Sequence, residues 1–244
     1  MRQMVTALIF AGGTGRRMNT NAKPKQFLEL YGKPIIIYTL EHFENHPEID
    51  NIVVVCLESW LKELKRFISL YGFEKVSQII PGGEGGDISI FNGLQALNVV
   101  CKDDDIVLIH DGVRPLINAE LISQNIKTAK EKGTSITVEA ARESVVKLNG
   151  NSCIESVPPR DKMYSAKAPQ SFKYGLIWSL YKKARQENIR TIDSAHLCSI
   201  YNVEMHTVKS TPNNIKITAP QDYYIFRSLY KVMEYEQLIG VCME

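Results

Sequence analysis

Val5-Thr6-Ala7-Leu8-Ile9-Phe10-Ala11-Gly12-Gly13-Thr14-Gly15-Arg16-Arg17-Met18, closed by Pro24-Lys25-Gln26, is the stretch on which the reading of this chain turns. Val5–Phe10 is apolar and reads as a first β-strand that runs straight into a glycine turn. Glycines let backbone come close to a ligand and leave N–H groups pointing inward, a nest for anionic oxygens. Arg17 and Lys25 add fixed positive charge beside that nest. A loop built this way holds a triphosphate and steadies the charge that develops when one phosphorus is attacked. Neither common phosphate loop is present: no Gly-Lys-Ser/Thr closes it, and Met18 stands where a dinucleotide fingerprint has its third glycine. The bland alternative, a tight strand-to-helix connection, does not account for the adjoining cations.

Outward from that strand, β-branched runs alternate with amphipathic stretches. The pattern predicts helices at Pro34–Asn45, Ser59–Tyr71, Ile88–Leu97, from Asn118 to about Lys132, Tyr174–Glu187 and near Asp193–Tyr201. Strands are expected at Asn51–Leu57, Val76–Ile80, Asp105–His110, Thr134–Ala140 and Glu204–Val208. This order implies a mostly parallel sheet with helices on both faces, whose ligands sit at the carboxyl ends of the strands. The glycine loop, Gly82-Gly83 and His110-Asp111 all fall at such ends. The rhythm breaks between Glu143 and Gln170, where Val145–Leu148, Asn149-Gly150-Asn151 and Cys153–Val157 read as a hairpin. A hairpin projecting from an α/β sheet has no core of its own, and a second copy of the chain is its expected cover. Asn214–Ile217 is expected as a short strand leading into a final helix, with Thr218-x-x-Gln221 as its capping box. The whole chain, 1–244, reads as one domain with an arm at about 143–170.

Composition narrows the class. The 244 residues carry 29 basic and 27 acidic side chains, a net charge of +2, so no nucleic acid or anionic membrane is expected as partner. Cys56, Cys101, Cys153, Cys198 and Cys242 are widely spaced, which argues for a reducing cytoplasm and against zinc or a disulfide framework. No leader segment and no run of about 18 apolar residues is read, so no membrane span is expected.

Several constellations could carry chemistry. Asp111, at the tip of a strand, could hold magnesium or substrate hydroxyls. Arg114 could pair with a phosphate, or simply with Asp111 to fasten a turn. Gly112 permits close approach of a ligand. His110 reads as a buried, satisfied histidine. Gly82-Gly83-Glu84-Gly85-Gly86 before Asp87 and Ser89 could read a nucleobase edge, or be a turn capped by Asp87 or Ser89. Arg142 and Lys167 read as solvated surface. Lys216, between two isoleucines, could be an edge-strand charge or could reach phosphates. Asp103-Asp104-Asp105 matches a metal-binding glycosyltransferase pattern but precedes its strand, where a solvated turn is expected. No protein nucleophile paired with a base appears, and nucleotidyl transfer needs positioning and positive charge more than a nucleophile.

Gly12-Gly13-x-Gly15-x-Arg17-Met18, Pro24-Lys25-Gln26, Gly82-Gly83, His110-Asp111-x-x-Arg114-Pro115, Ala168-Pro169-Gln170-x-Phe172 and Asn214-Ile215-Lys216-x-Thr218 occur in that order. Together they resemble the cytidylyltransferases of the methylerythritol-phosphate and ribitol-phosphate type, from about Ala7 to Asp222. The resemblance implies a nucleotide-diphospho-sugar transferase type of α/β sheet and a reaction of CTP with a polyol phosphate to give a CDP-polyol and pyrophosphate. By motif position it implies that Arg17, Lys25 and Lys216 stabilise the transition state. Ala11, Gly12, Gly13, Gly15, Gly83, Glu84, Ser89 and Gly112 would line the CTP site, and Asp111 and Arg114 would meet the polyol phosphate. Ser144 and Arg160 match positions on an exchanged arm that acts in the partner's site. The family is dimeric and uses a divalent metal, usually magnesium. Gly86 departs from an arginine common at that position, Ser144 from a threonine, and Lys167-Ala168 from Gln-Thr. Val138-Glu139-Ala140 and Arg160-Asp161-Lys162-Met163-Tyr164 resemble the ribitol-phosphate branch more closely than the methylerythritol branch.

Overall fold

The computed structural model describes residues 2–13 and 23–239. Its strands are β1 (Val5–Ala11), β2 (Glu29–Leu30), β3 (Lys33–Pro34), β4 (Asn51–Cys56), β5 (Val76–Pro81), β6 (Ile106–Asp111), β7 (Thr134–Ala140), β8 (Lys147–Leu148), β9 (Ile154–Ser156), β10 (Tyr164–Lys173) and β11 (Thr207–Lys209). The α-helices are α1 (Ile35–Glu44), α2 (Leu61–Leu70), α3 (Gly86–Leu97), α4 (Ala119–Lys132), α5 (Tyr174–Gln186), α6 (Ser194–Ile200) and α7 (Pro220–Ile239).

Seven strands form one sheet in the order β11-β7-β10-β6-β1-β4-β5. Every pairing is parallel except those of β10, which runs antiparallel between β6 and β7. β1 is apolar except for the buried Thr6 because both of its faces are covered. Ala7, Ile9 and Ala11 pack in one core layer with α1, α2 and α4. Leu8 packs in the other with α3, α5 and α6. The α/β architecture with helices on both faces is as expected.

Local chemistry sets the element ends. The Asn118 side chain accepts the Leu121 N–H at 3.0 Å, and Gly133 in the left-handed region ends α4 at φ 83°. The capping box of α7 differs from expectation. Asp222, not Gln221, accepts the N–H groups of Thr218 and Ala219, each at 2.7 Å. Asn214–Ile217 is not a strand. It is a loop pinned by Ile217 N–H to Val113 C=O and by burial of Ile217 among Ile35, Tyr38, Val113 and Phe226.

The strand β10 was not anticipated. Its Pro169 lies within a register shift between Ala166 and Gln170, where the ladder to β7 is interrupted and a missing N–H costs nothing. Before it, β8 and β9 form a small antiparallel ribbon, and residues 142–157 are exposed throughout.

Candidate active site

Strand register brings three loops to one edge of the sheet. Phe10 pairs with Asp111 on one side, while Ala11 pairs with Cys56 and Cys56 with Pro81 on the other. The glycine loop after β1, Gly82–Gly86 after β5 and Gly112–Pro115 after β6 therefore emerge together. The sequence returns from β5 to β6 on the far side of β1, which makes the end of β1 a topological switch point.

Glycines at this edge answer to close approach. α3 lies tight on β1, since a Cβ at Gly93 would come within 2.4 Å of Leu8 Cδ1. That brings Ser89 between two loops: a Cβ at Gly12 would stand 2.8 Å from Ser89 Oγ, and one at Gly82 3.0 Å from it. The Ser89 hydroxyl donates to Gly85 C=O at 2.8 Å and accepts the Gly83 N–H at 3.2 Å. It is 2% exposed, so it shapes the loop from within. Neither Asp87 nor Ser89 caps α3; Gly85 does, at φ 120°. The N-terminus of α3 thus meets the cleft through bare glycine backbone.

Lys25 is positioned by its neighbours. Gln26 is buried and donates to Ala11 C=O at 2.6 Å and to Gly13 C=O at 3.3 Å. Phe27 is fully buried and stacks on Trp60, with ring centroids 4.4 Å apart. The first ties the short turn Lys25–Phe27 to the end of β1, and the second ties it to the Glu58–Trp60 turn that follows β4.

Asp111 is the electrostatic centre. Its carboxylate pairs with Arg114 Nε at 2.8 Å and with Lys216 Nζ at 2.5 Å. Burial pushes its pKa up, but Lys216 and Arg114 outweigh burial and hold it well below the usual carboxylate range. Arg114 also donates to Asn214 C=O at 3.0 Å, which fixes the loop that carries Lys216. Asn214 in turn is fully buried and donates to Ala168 C=O at 2.8 Å, tying that loop to β10. Next to this triad His110 is fully buried, and desolvation lowers its pKa to about 3. A neutral, enclosed imidazole is not an acid–base group at neutral pH; its burial is as expected, but it is not fully satisfied, because Nδ1 finds no hydrogen-bond partner among the described residues.

A cleft of about 900 Å³ opens over these loops. Ala11, Gly12, Gly13, Lys25, Gly83, Glu84, Ser89, Asp111 and Lys216 all line it. Lys216 is therefore a cleft cation rather than an edge-strand charge. Gly112 and Arg114 stand behind the lining. Gly112 N–H donates to Phe10 C=O, and a Cβ there would come within 3.0 Å of Ala11 Cβ, so this glycine lets β6 close on β1. Gly15 and Arg17 lie outside the described residues. Ser144 and Arg160 are exposed, just before and just beyond the ribbon. Lys167, expected as solvated surface, is instead largely enclosed and paired with Glu139 at 2.5 Å, because β10 carries it into the sheet. Arg142 is exposed and pairs with the same carboxylate.

Asp103–Asp105 lies at the opposite end of β6, where Asp105 accepts N–H groups of Met4 and Lys102. This is a turn fastening, at the end of β6 away from the cleft. Among the described residues no three His, Cys, Asp or Glu side chains converge as a metal site. Both oxygens of Asp111 are engaged by cations, so it does not present a preformed protein site for magnesium.

Three polar residues shape this edge without having been assigned a role from sequence. Gln26 and Asn214 sit inside the motifs already quoted, and their burial beside charged neighbours is the signal that picks them out. Arg190 belongs to no motif. It reaches the Gly82–Gly86 loop from the segment between α5 and α6.

The family model described as IspD, 2-C-methyl-D-erythritol 4-phosphate cytidylyltransferase, matches residues 5–229. A ribitol-5-phosphate cytidylyltransferase of Streptococcus agalactiae serotype III (strain NEM316) is 47% identical over 239 residues, covering 98% of this chain and 100% of that protein. A 2-C-methyl-D-erythritol 4-phosphate cytidylyltransferase of Clostridium botulinum (strain Loch Maree / Type A3) is 34% identical over 217 residues, covering 89% of this chain and 93% of that one. Among solved structures, 4-diphosphocytidyl-2C-methyl-D-erythritol synthase from Anaerococcus prevotii DSM 20548 superposes with a TM-score of 0.83 at 26% identity, over 94% of this chain and 96% of that chain.

Proposed function

The chain belongs to the IspD cytidylyltransferase family, and from that premise we propose that it joins CTP to D-ribitol 5-phosphate, giving CDP-ribitol and pyrophosphate. The observation that carries the reading is that Lys25 and Lys216, far apart in sequence, line one cleft with the Gly12-Gly13 turn. The choice of ribitol rests on the relatives: 47% identity to a ribitol-phosphate enzyme against 34% to a methylerythritol-phosphate enzyme.

In this reaction a phosphate oxygen of the polyol phosphate attacks the α-phosphorus of CTP. A new P–O bond forms as the bond to the bridging oxygen of the β-phosphate breaks, and pyrophosphate leaves in line. The gain comes from positioning and from positive charge at the α- and β-phosphates. Lys25, Lys216 and Arg17 supply that charge, and the Gly12 and Gly13 backbone lets the triphosphate approach. Asp111 holds Lys216 at the cleft and meets the polyol phosphate there, while Arg114, behind the lining, sets the Asp111 carboxylate for it. Gly83, Glu84 and Ser89 shape the nucleoside end, and Gly112 keeps β6 and β1 close beside it. A divalent cation, magnesium by family habit, would be carried mainly by the triphosphate oxygens and would neutralise charge there.

The ribbon supports a second copy as its cover. Val145, Val146, Leu148, Ile154 and Val157 are all 42–60% exposed on a two-stranded ribbon that buries neither face. The homodimer built on this arm brings Ser144 and Arg160 to the partner's cleft. No helix among the described residues is long and apolar enough to cross a membrane. With CTP as substrate and Cys56, Cys101, Cys153 and Cys198 as free thiols, the cytoplasm is the proposed compartment.

Pyrophosphate release with CTP and a panel of polyol phosphates tests the reading. Ribitol 5-phosphate is expected to give the highest kcat/KM. A higher value for 2-C-methyl-D-erythritol 4-phosphate assigns the chain to isoprenoid precursor synthesis instead, and CTP binding without product from any polyol leaves a non-catalytic relative. For the arm, mixing inactive K216M and R160A chains is expected to restore activity in heterodimers; no restoration refutes the shared site.

A further inference from the structure

The Gly82–Gly86 loop forms one wall of the cleft but has little to hold it. Ser89 secures its near end through Gly83 and Gly85. Gly86 offers no side chain, and a Cβ there would meet nothing within 4 Å. The far end is gripped from outside. Arg190 donates through Nη2 to Glu84 C=O at 3.0 Å and to Asp87 Oδ1 at 3.0 Å, while its Nε donates to Asp87 Oδ2. A planar guanidinium suits this fork, since it meets a carboxylate and a carbonyl at once. Gly85 lies between them at φ 120°, and a Cβ there would stand 2.9 Å from Arg190 Nη2. The guanidinium thus approaches bare backbone closely, in space that a side chain at position 85 would fill.

The arm that makes this grip is itself anchored to the sheet. Asp193 accepts the His196 N–H and the Gln170 side-chain amide, and Gln170 accepts the Ala195 N–H at 2.9 Å. The grip therefore runs from β10 through the α5–α6 segment to the cleft wall. Burial pushes the Asp87 pKa up, but Arg190 and the Ile88 and Thr191 N–H groups outweigh it and hold it below its ordinary value. Arg190 is 64% exposed over an Asp87 side chain that is 10% exposed, and solvent on the guanidinium screens the pair, so it adds little to global stability. Its effect is local to the loop it spans.

We propose that Arg190 is a positioning residue for the nucleotide: it pins Glu84–Gly86 in the shape that receives the base and ribose of CTP. Residues 82–86 carry no cation, and their backbone N–H and C=O groups offer the donors and acceptors that suit a base edge and ribose hydroxyls, whereas Lys25 and Lys216 in the same cleft serve the phosphates. The proposal rests on the reading that this cleft takes CTP. Loss of Arg190 weakens CTP capture and leaves the chemistry at phosphorus intact.

Initial rates of wild type, R190A and R190K test it, with CTP and ribitol 5-phosphate varied in turn. In R190A the KM for CTP is expected to rise about tenfold, with kcat and the polyol-phosphate KM within about twofold of wild type. R190K recovers part of the loss, because one ammonium replaces only part of the fork. Amide hydrogen exchange at residues 84–87, measured without nucleotide, is expected to quicken in R190A. A wild-type KM for CTP and unchanged exchange in R190A overturn the proposal. So does a parallel fall in kcat and melting temperature, which marks a general structural role. If wild type binds no CTP and turns over no polyol phosphate, the reading of the cleft fails instead, while exchange at residues 84–87 still reports on the grip.

Discussion

Replacing Lys216 with methionine separates catalysis from folding at the centre of the cleft. Lys216 is 37% exposed on its side chain and pairs with Asp111, which is 6% exposed and keeps its second partner, Arg114. Because the lysine is screened by solvent, its pair contributes less than about 1 kcal/mol to stability. For a chain of 244 residues that lowers the melting temperature by no more than about 4 °C. Removing a cationic contact made to charge developing in the transition state costs about 3 kcal/mol, or roughly a hundredfold in kcat. Asp111→Asn provides the contrast. It leaves Arg114, 8% exposed, without its buried counter-ion, at a cost of about 3–5 kcal/mol and a melting temperature lower by roughly 6–20 °C. Pyrophosphate release at saturating substrates and a thermal melt followed by circular dichroism measure both. Turnover of K216M within about threefold of wild type, or a melting loss as deep as that of D111N, would show that Lys216 is a structural partner and would refute its role.

Other expectations follow from the same geometry. A Cβ at Gly83 would lie 2.1 Å from Ile88 Cγ2 and 2.8 Å from Ile88 Cβ, so Gly83→Ala displaces the loop and raises the CTP KM by more than about tenfold, read from initial rates. Asp222→Ala strips the N-terminus of α7 of a carboxylate that accepts from Thr218 and Ala219; about 1 kcal/mol and 2–4 °C of melting temperature are expected to be lost, with an unchanged melt counting against the cap. Asp111 is held below its unfolded pKa by Lys216 and Arg114 against the opposing push of burial, so its stabilisation is fully present above about pH 4 and drains away as pH falls toward the folded value. Urea titrations from about pH 5 down to about pH 2 should show this decline, and D111N should flatten it; an equal slope in both proteins refutes the assignment.

Much of the fold was legible because β1, β4 and β6 are buried on both faces and so read as near-continuous apolar runs. The glycines at 12 and 82 were legible for a related reason, since their loops approach each other and Ser89 too closely for side chains, and Gly83 lies as close to Ile88. β10 was not legible. Its run Ala166-Lys167-Ala168-Pro169-Gln170-Ser171 carries a proline, a lysine and two polar residues, which argues against a central strand. What admits it is the interrupted ladder at Pro169 and the polar partners that meet Gln170 from α6, both of which exist only in three dimensions. Lys216 was correctly suspected of reaching the cleft, yet its strand was an illusion of two flanking isoleucines; only Ile217 is buried as a core residue, and the backbone between Asn214 and Thr218 is a loop. Arg190 could not be found by spacing, since nothing near it in sequence marks the glycines it holds.

The ion pairs of Asp111 have one more implication. A carboxylate that already occupies Lys216 acts as a resident understudy for phosphate. An arriving anion has to take the ammonium over from that understudy, so the net gain is the difference between two ion pairs rather than the whole of one. Such a site accepts phosphates with restraint and lets them go readily. That temperament suits an enzyme that must release pyrophosphate and a charged product after every turnover.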